Sequence, residues 1–144
     1  MSAAADYKRP ESVLVVIYTT AGQVLLLNRT RPHGFWQSVT GSLEWDEFPL
    51  QAAIREVYEE TGVKTDEIRD CQQQNTFSIR PEWRDRYDPH VTENIEYVFT
   101  LELDVPVDIQ INPQEHSEYR WLPYKQAAEQ VFSWSNRDVI LGLF

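Results

Sequence analysis

Residues 41–63 read GSLEWDEFPLQAAIREVYEETGV, and the second half of this stretch predicts a helix over 49–61 closed by Gly62. Proline in a first helical turn loses no internal hydrogen bond, and glycine just past the last turn accepts a left-handed conformation. Phe48 is a poor N-cap, having no side-chain acceptor for the free N–H groups. Leu50, Ala53, Ile54 and Val57 recur at helical spacing and predict a buried stripe, leaving Arg55, Glu56, Glu59 and Glu60 on the remaining surface. Side chains three and four apart have Cβ atoms about 5–6 Å apart, so three carboxylates share one patch and repel each other. Arg55, four residues before Glu59, relieves only part of that repulsion. Hard divalent cations take carboxylate oxygens, and magnesium commonly uses one or two carboxylates with waters and substrate phosphates. The cluster therefore suits a magnesium and phosphate site; the alternative is a solvated acidic helix face.

Outward from this helix, the chain predicts alternating strands and helices in one α/β or α+β domain, residues 1–144. Residues 12–18 are β-branched and apolar, and Ala21-Gly22 turns them into a second strand over 23–28. A short strand is expected over 35–39 and a polar loop over 41–47. Further strands are expected over 71–79, 94–103 and 118–122, with a charged loop over 80–91. Helices are expected over 123–131 and 135–144, the latter capped by Ser135.

Composition narrows the function classes. The 144 residues are 42% hydrophobic and include 5 Trp, 7 Tyr and 6 Phe, enough for a packed core. The longest strongly apolar stretch, 13–18, is far short of the roughly 20 residues of a membrane-spanning helix. The first residues show no charged segment leading into a long apolar one, so the expected location is cytoplasmic. Cys71 is the only cysteine; it excludes an internal disulfide, argues against a zinc site and is expected to be a buried thiol. A net charge of −10 repels nucleic acid and anionic lipid. Residues 41–63 carry half of it, whereas Lys8, Arg9, Arg29 and Arg31 make 1–37 net positive. A polyphosphate approaching such a protein needs cations, and arginine grips phosphate oxygens through paired hydrogen bonds. Trp36, Phe77, Trp83 and Trp134 are candidates for stacking on a flat heterocycle. His33, His90 and His116 are scattered and read as surface residues.

The spacing within 41–63 is G-x5-E-x7-R-E-U-x-E-E-x-G-U, with U a bulky apolar residue, matched at every fixed position. At about 5–8% usage per residue type, chance produces this in far fewer than one in a million chains of this length. The chain resembles a Nudix hydrolase. That resemblance implies a mixed sheet between helices, with 41–63 as a loop-helix-loop, and hydrolysis of a diphosphate linkage. It implies Glu56 and Glu60 as magnesium ligands, with manganese as a substitute. Glu59 would be a further ligand or a water-positioning group, Arg55 the group that orients the carboxylates, and Glu47 a loop brace; a carboxylate must take the proton of the attacking water, Glu59 by its place beside the ligands, with Glu56 or Glu44 as alternatives. The family usually has glycine where this chain has Thr40.

Segments outside the box, YKRP at 7–10, FWQSVTGS at 35–42 and SWSNR at 133–137, resemble the members that act on a pterin triphosphate, also described as cleaving dATP. By that likeness Lys8, Arg29, Thr40, Phe77, Ser78, Ile79, Arg80 and Ser133 are substrate contacts, and Glu115 is a metal ligand distant from the box. The expected reaction is magnesium-dependent release of pyrophosphate from a small-molecule triphosphate, with no nucleic acid, membrane or obligate protein partner. The alternatives are a nucleoside triphosphate such as dATP, or a nucleotide-sensing module without catalysis. Such modules usually lack a box carboxylate, and this chain keeps Glu56, Glu59 and Glu60.

Overall fold

The computed structural model describes residues 7–144; the first six, which enter the reading of location, lie outside it. The elements in order are β1 (Glu11–Thr19), β2 (Gln23–Thr30), β3 (His33–Gln37), β4 (Val39–Ser42), α1 (Pro49–Thr61), β5 (Arg69–Ser78), a 3-10 turn (Pro81–Arg86), β6 (Glu93–Leu103), β7 (His116–Pro123), α2 (Tyr124–Gln130) and α3 (Trp134–Gly142). Among the described residues no helix is long and apolar enough to cross a membrane.

One mixed sheet holds all seven strands. β1 and β6 run parallel along their whole length, and the other pairings are antiparallel. β1 and β2 meet at Tyr18 and Val24. Beyond that point the start of β1 pairs with β4 and the end of β2 pairs with β3. The segment 33–42 thus fills the gap where two hairpin strands part. Its single expected strand is in fact two, broken at Ser38, and Gly41 and Ser42 belong to β4 where a loop was expected. The charged loop contains the 3-10 turn.

Alternation along β1 sends Val13, Val15 and Ile17 to one face and Leu14 and Val16 to the other. The first face packs on Ala52, Ala53 and Val57 of α1, the second on Ala127, Ala128, Val139 and Ile140 of α2 and α3. A sheet between two helical layers is the expected architecture. Cys71 is only partly buried, against the expected core thiol. Ser133, not Ser135, caps α3: its Oγ accepts the Asn136 N–H at 3.3 Å, while Ser135 is fully buried.

Candidate active site

Helix α1 spans the expected residues, with Gly62 at φ 78° closing it. Its N-terminus lacks a side-chain cap from Phe48, but Gln51 Oε1 accepts the Phe48 N–H at 2.9 Å. The buried stripe differs from expectation. Ala52, Ala53, Glu56, Val57, Glu60 and Thr61 face inward, while Leu50 is exposed. Ala52, Glu56 and Glu60 stand four residues apart in one row, so the turn that packs small alanines on the sheet also carries two glutamates under it. Glu60 is 1% exposed and Glu56 9%, whereas Glu59 faces solvent.

Gly41 of β4 makes room for Glu56. A Cβ there would lie 2.6 Å from Glu56 Oε2 and closer to the rest of the carboxyl, so any larger residue would displace that carboxyl from its place. Arg55 organises the other side. Its Nε and Nη2 each donate to a Glu47 oxygen at 2.8 Å, Nη1 donates to Glu56 Oε1 at 2.7 Å and to Glu59 Oε2 at 3.2 Å, and Nη2 also reaches the Ser42 carbonyl at 3.1 Å. The hydrogen bonds to Glu47, with Glu56 beside them, hold the guanidinium more firmly charged than usual. In return Arg55 keeps Glu47 below the usual carboxylate range. Glu47 Oε1 also accepts the Glu44 N–H at 3.0 Å, which ties the loop to the helix.

Burial pushes Glu56 up, and drives Glu60 well above its ordinary value with Glu56 and Glu115 adding to the effect. Both Glu60 oxygens are buried without a hydrogen-bond donor. Each carboxylate therefore disfavours the charge of the other. His116 joins the pair: it is 3% exposed, its Nε2 lies 3.7 Å from Glu60 Oε1 and 3.4 Å from Gln37 Nε2, and burial with the nearby Arg29 lowers it to about 4. The imidazole is therefore neutral near pH 7. Reading it as a surface residue was wrong. A lone histidine carries no signal in sequence, and only the pairing of β7 on β2, with Arg29 opposite His116, brings it under the helix.

These residues fit a divalent cation. Two buried carboxylates, one lacking any donor, are what a hard oxygen-seeking ion stabilises. Among the described residues no three acidic, histidine or cysteine side chains form a ready cage, so waters and phosphate oxygens would complete the coordination, the usual habit of magnesium. Glu115 is exposed just before β7, near enough for its charge to act on Glu60.

The cations expected to meet phosphate also converge. Lys8 and Arg29 each have their charged form disfavoured, first by desolvation and then by Arg86, while Glu60 and Glu115 counteract this at Arg29 and Glu56 and Glu115 at Lys8. Lys8 Nζ lies 5.8 Å from the Tyr87 ring centre, and Arg29 is 5.2 Å from that of Trp83. Arg80 is 5.1 Å from the Phe35 ring and 5.5 Å from Trp83. Phe77 is half-buried at the end of β5, Ser78 is exposed and Ile79 is buried. Thr40 spends its hydroxyl on the Val13 carbonyl at 2.9 Å. Trp36 is buried with Arg120 over its ring at 4.7 Å, and Trp134 is exposed.

A buried carboxylate pair on a helix under a mixed sheet, with arginine and lysine across from it, defines a Nudix site, and the NUDIX domain profile matches residues 8–142. The chain belongs to the Nudix family. It is 47% identical over 139 residues to the dihydroneopterin triphosphate diphosphatase of Escherichia coli, covering 93% of this chain and 91% of that one. The protein of the same name from Haemophilus influenzae is 39% identical, covering 94% and 87%. The solved E. coli dihydroneopterin triphosphate pyrophosphohydrolase superposes with a TM-score of 0.89 at 44% identity, over 95% of this chain and 96% of the other.

Proposed function

We propose that this protein hydrolyses dihydroneopterin triphosphate to dihydroneopterin monophosphate and pyrophosphate, with magnesium as cofactor and manganese as a substitute, and that residues 1–144 act as one domain. The observation that carries the chemistry is the donorless, fully buried Glu60 beside Glu56, faced by Lys8 and Arg29. The substrate comes from near full-length likeness to relatives named for it.

Glu56 and Glu60 hold the metal from α1, and Glu115 approaches from the start of β7. When bound, the metal offsets charge on the phosphates and acidifies water. Lys8 and Arg29 grip the triphosphate, and their weakened hydration makes them readier to exchange water for phosphate oxygens. Glu59, held at 3.2 Å by Arg55, takes the proton of the attacking water. Arg55 holds Glu47, Glu56 and Glu59 on one guanidinium, which ties the loop to the helix. Thr40 is a substrate contact through its backbone, its hydroxyl being engaged. Phe77, Ser78, Ile79, Arg80 and Ser133 contribute on the heterocycle side. The net charge of −10 supports a small triphosphate rather than nucleic acid as partner.

The test is a substrate panel read by pyrophosphate release with magnesium present. Dihydroneopterin triphosphate should show a kcat/KM at least about tenfold above that of dATP, roughly 1.4 kcal/mol in the transition state. A better rate on dATP would remove the pterin assignment, and no turnover of any triphosphate would favour a sensing module.

A further inference from the structure

The face of the sheet away from α1 carries a polar cluster that the hydrolytic machinery does not use. Glu96 of β6 is 5% exposed. It lies opposite Ser12 of β1 and Asn75 of β5. Its donors are neutral: Asn75 Nδ2 at 3.4 Å and the Ser135 hydroxyl. Among the described residues no lysine, arginine or histidine pairs with it. Two residues earlier on the same face, Asn94 is 3% exposed and donates through Nδ2 to Ser12 Oγ at 2.8 Å and to the Ile95 carbonyl at 3.2 Å. The carbonyl can only accept, so the amide orientation is fixed and Asn94 Oδ1 points the other way. That oxygen is buried with no partner.

Asn94 Oδ1 thus lacks a donor, and beside it the Glu96 carboxyl is held by neutral donors with no cation. A carboxylate out of water and without a cation costs several kcal/mol, and an unpaired buried carbonyl about 1–3 kcal/mol. The neighbourhood suits a flat ring. Phe77 stands opposite Asn94 on β5. Ser38 and Asn136 are locked together by two hydrogen bonds, at 2.9 and 3.0 Å, at the start of α3. Phe35 and Phe132 pack at 4.6 Å with Arg80 over Phe35. Arg80 and Arg29 share Trp83, which links this cluster to the cations facing Glu60. Along β1, Ser12 and Val13 pair with Ser42 and Gly41, so the cluster sits one residue from the strand that shelters Glu56.

We propose that Glu96 and Asn94 form the floor that reads the substrate heterocycle, their oxygens accepting hydrogen bonds from the amino group and neighbouring ring N–H of an amino-oxo pyrimidine ring. This deepens the proposed function and rests on its placement of the triphosphate at Glu56 and Glu60. Pterin and guanine both carry that edge. Adenine has an amino group beside a ring nitrogen that accepts, so its lone pair would face the carboxylate. Burial pushes Glu96 up, and the donors at Ser135 and Asn75 pull it back only partly; two ligand N–H donors would favour the ionised form further.

The experiment compares the parent with Glu96→Gln on dihydroneopterin triphosphate, dGTP and dATP, with thermal unfolding as the check on folding. Glu96→Gln should lower kcat/KM at least about tenfold for dihydroneopterin triphosphate and dGTP, chiefly through KM, and change dATP less than about twofold. An equal effect on all three, or an unchanged ratio, would overturn the proposal. On the unsubstituted protein, guanosine should displace fluorescent neopterin and adenosine should not; displacement by both alike also overturns it, even where the variant fails to fold. A parent that prefers dGTP to dATP yet leaves dihydroneopterin triphosphate intact would remove the pterin assignment and keep the reading floor.

Discussion

At the scale of single residues, the proposed site turns on Glu56, Glu60 and Gly41. Glu56→Gln and Glu60→Gln should each lower kcat on the order of 100-fold or more, because an amide is a poor ligand for a hard cation and loses the charge that stabilises phosphoryl transfer. Both should fold, since each replaces one member of a pair of buried carboxyls that disfavour each other's charge with a neutral group of similar size. Near-normal magnesium-dependent turnover by either would contradict their assignment. Gly41→Ala introduces a methyl onto the Glu56 carboxyl; by displacing that carboxyl it should reduce kcat at least about tenfold. His116 supplies the pH test. Folded, it titrates at about 4, against an ordinary 6.5, so the unfolded chain binds the extra proton between those values and stability falls as pH drops from about 6.5 to about 4. Unfolding midpoints measured across that window should decline more steeply for the parent than for His116→Gln. Parallel curves would mean that this histidine is protonated in the folded state.

At the scale of elements, α1 was legible nearly to the residue, because proline and glycine mark its ends in terms that backbone geometry alone decides. The face it buries was not. Hydrophobicity places Leu50 inside and glutamates outside, whereas Leu50 is exposed and Glu56 and Glu60 lie within. A functional site sets aside the apolar rule there, and the sign of it in sequence is the fixed spacing, not the periodicity. The break between β3 and β4 escaped for another reason: it depends on β1 and β2 parting, a tertiary event without local signature. Ser133 carries two readings that one variant separates. As the α3 cap, Ser133→Ala should cost about 1 kcal/mol of stability. If the hydroxyl also touches substrate, KM rises while kcat holds; a lower Tm with unchanged kinetics would leave it as a cap alone.

Taken whole, the molecule places acid on one helix, base at Lys8, Arg29 and Arg86, and the polar cluster of β6 on the far face of the same sheet. The box made the reaction class readable before any coordinates through its resemblance to a known family; the carboxylate spacing alone suits a metal site but leaves a solvated acidic face open. On the heterocycle side the likeness named 77–80 and Ser133, whereas Asn94 and Glu96 were not readable, since only the pairing of β6 with β1 and β5 brings them beside Ser12 and Phe77. Magnesium should stabilise the folded protein, by about 2.7 kcal/mol at a hundredfold excess over its Kd, and Glu60→Gln should abolish most of that rise in Tm. The most direct measurement is phosphorus NMR of the products formed from dihydroneopterin triphosphate by the parent protein with magnesium. Cleavage between the α and β phosphates predicts pyrophosphate and dihydroneopterin monophosphate in equal amounts, with loss of both on chelation; orthophosphate as the sole released product, or an untouched triphosphate, would contradict it.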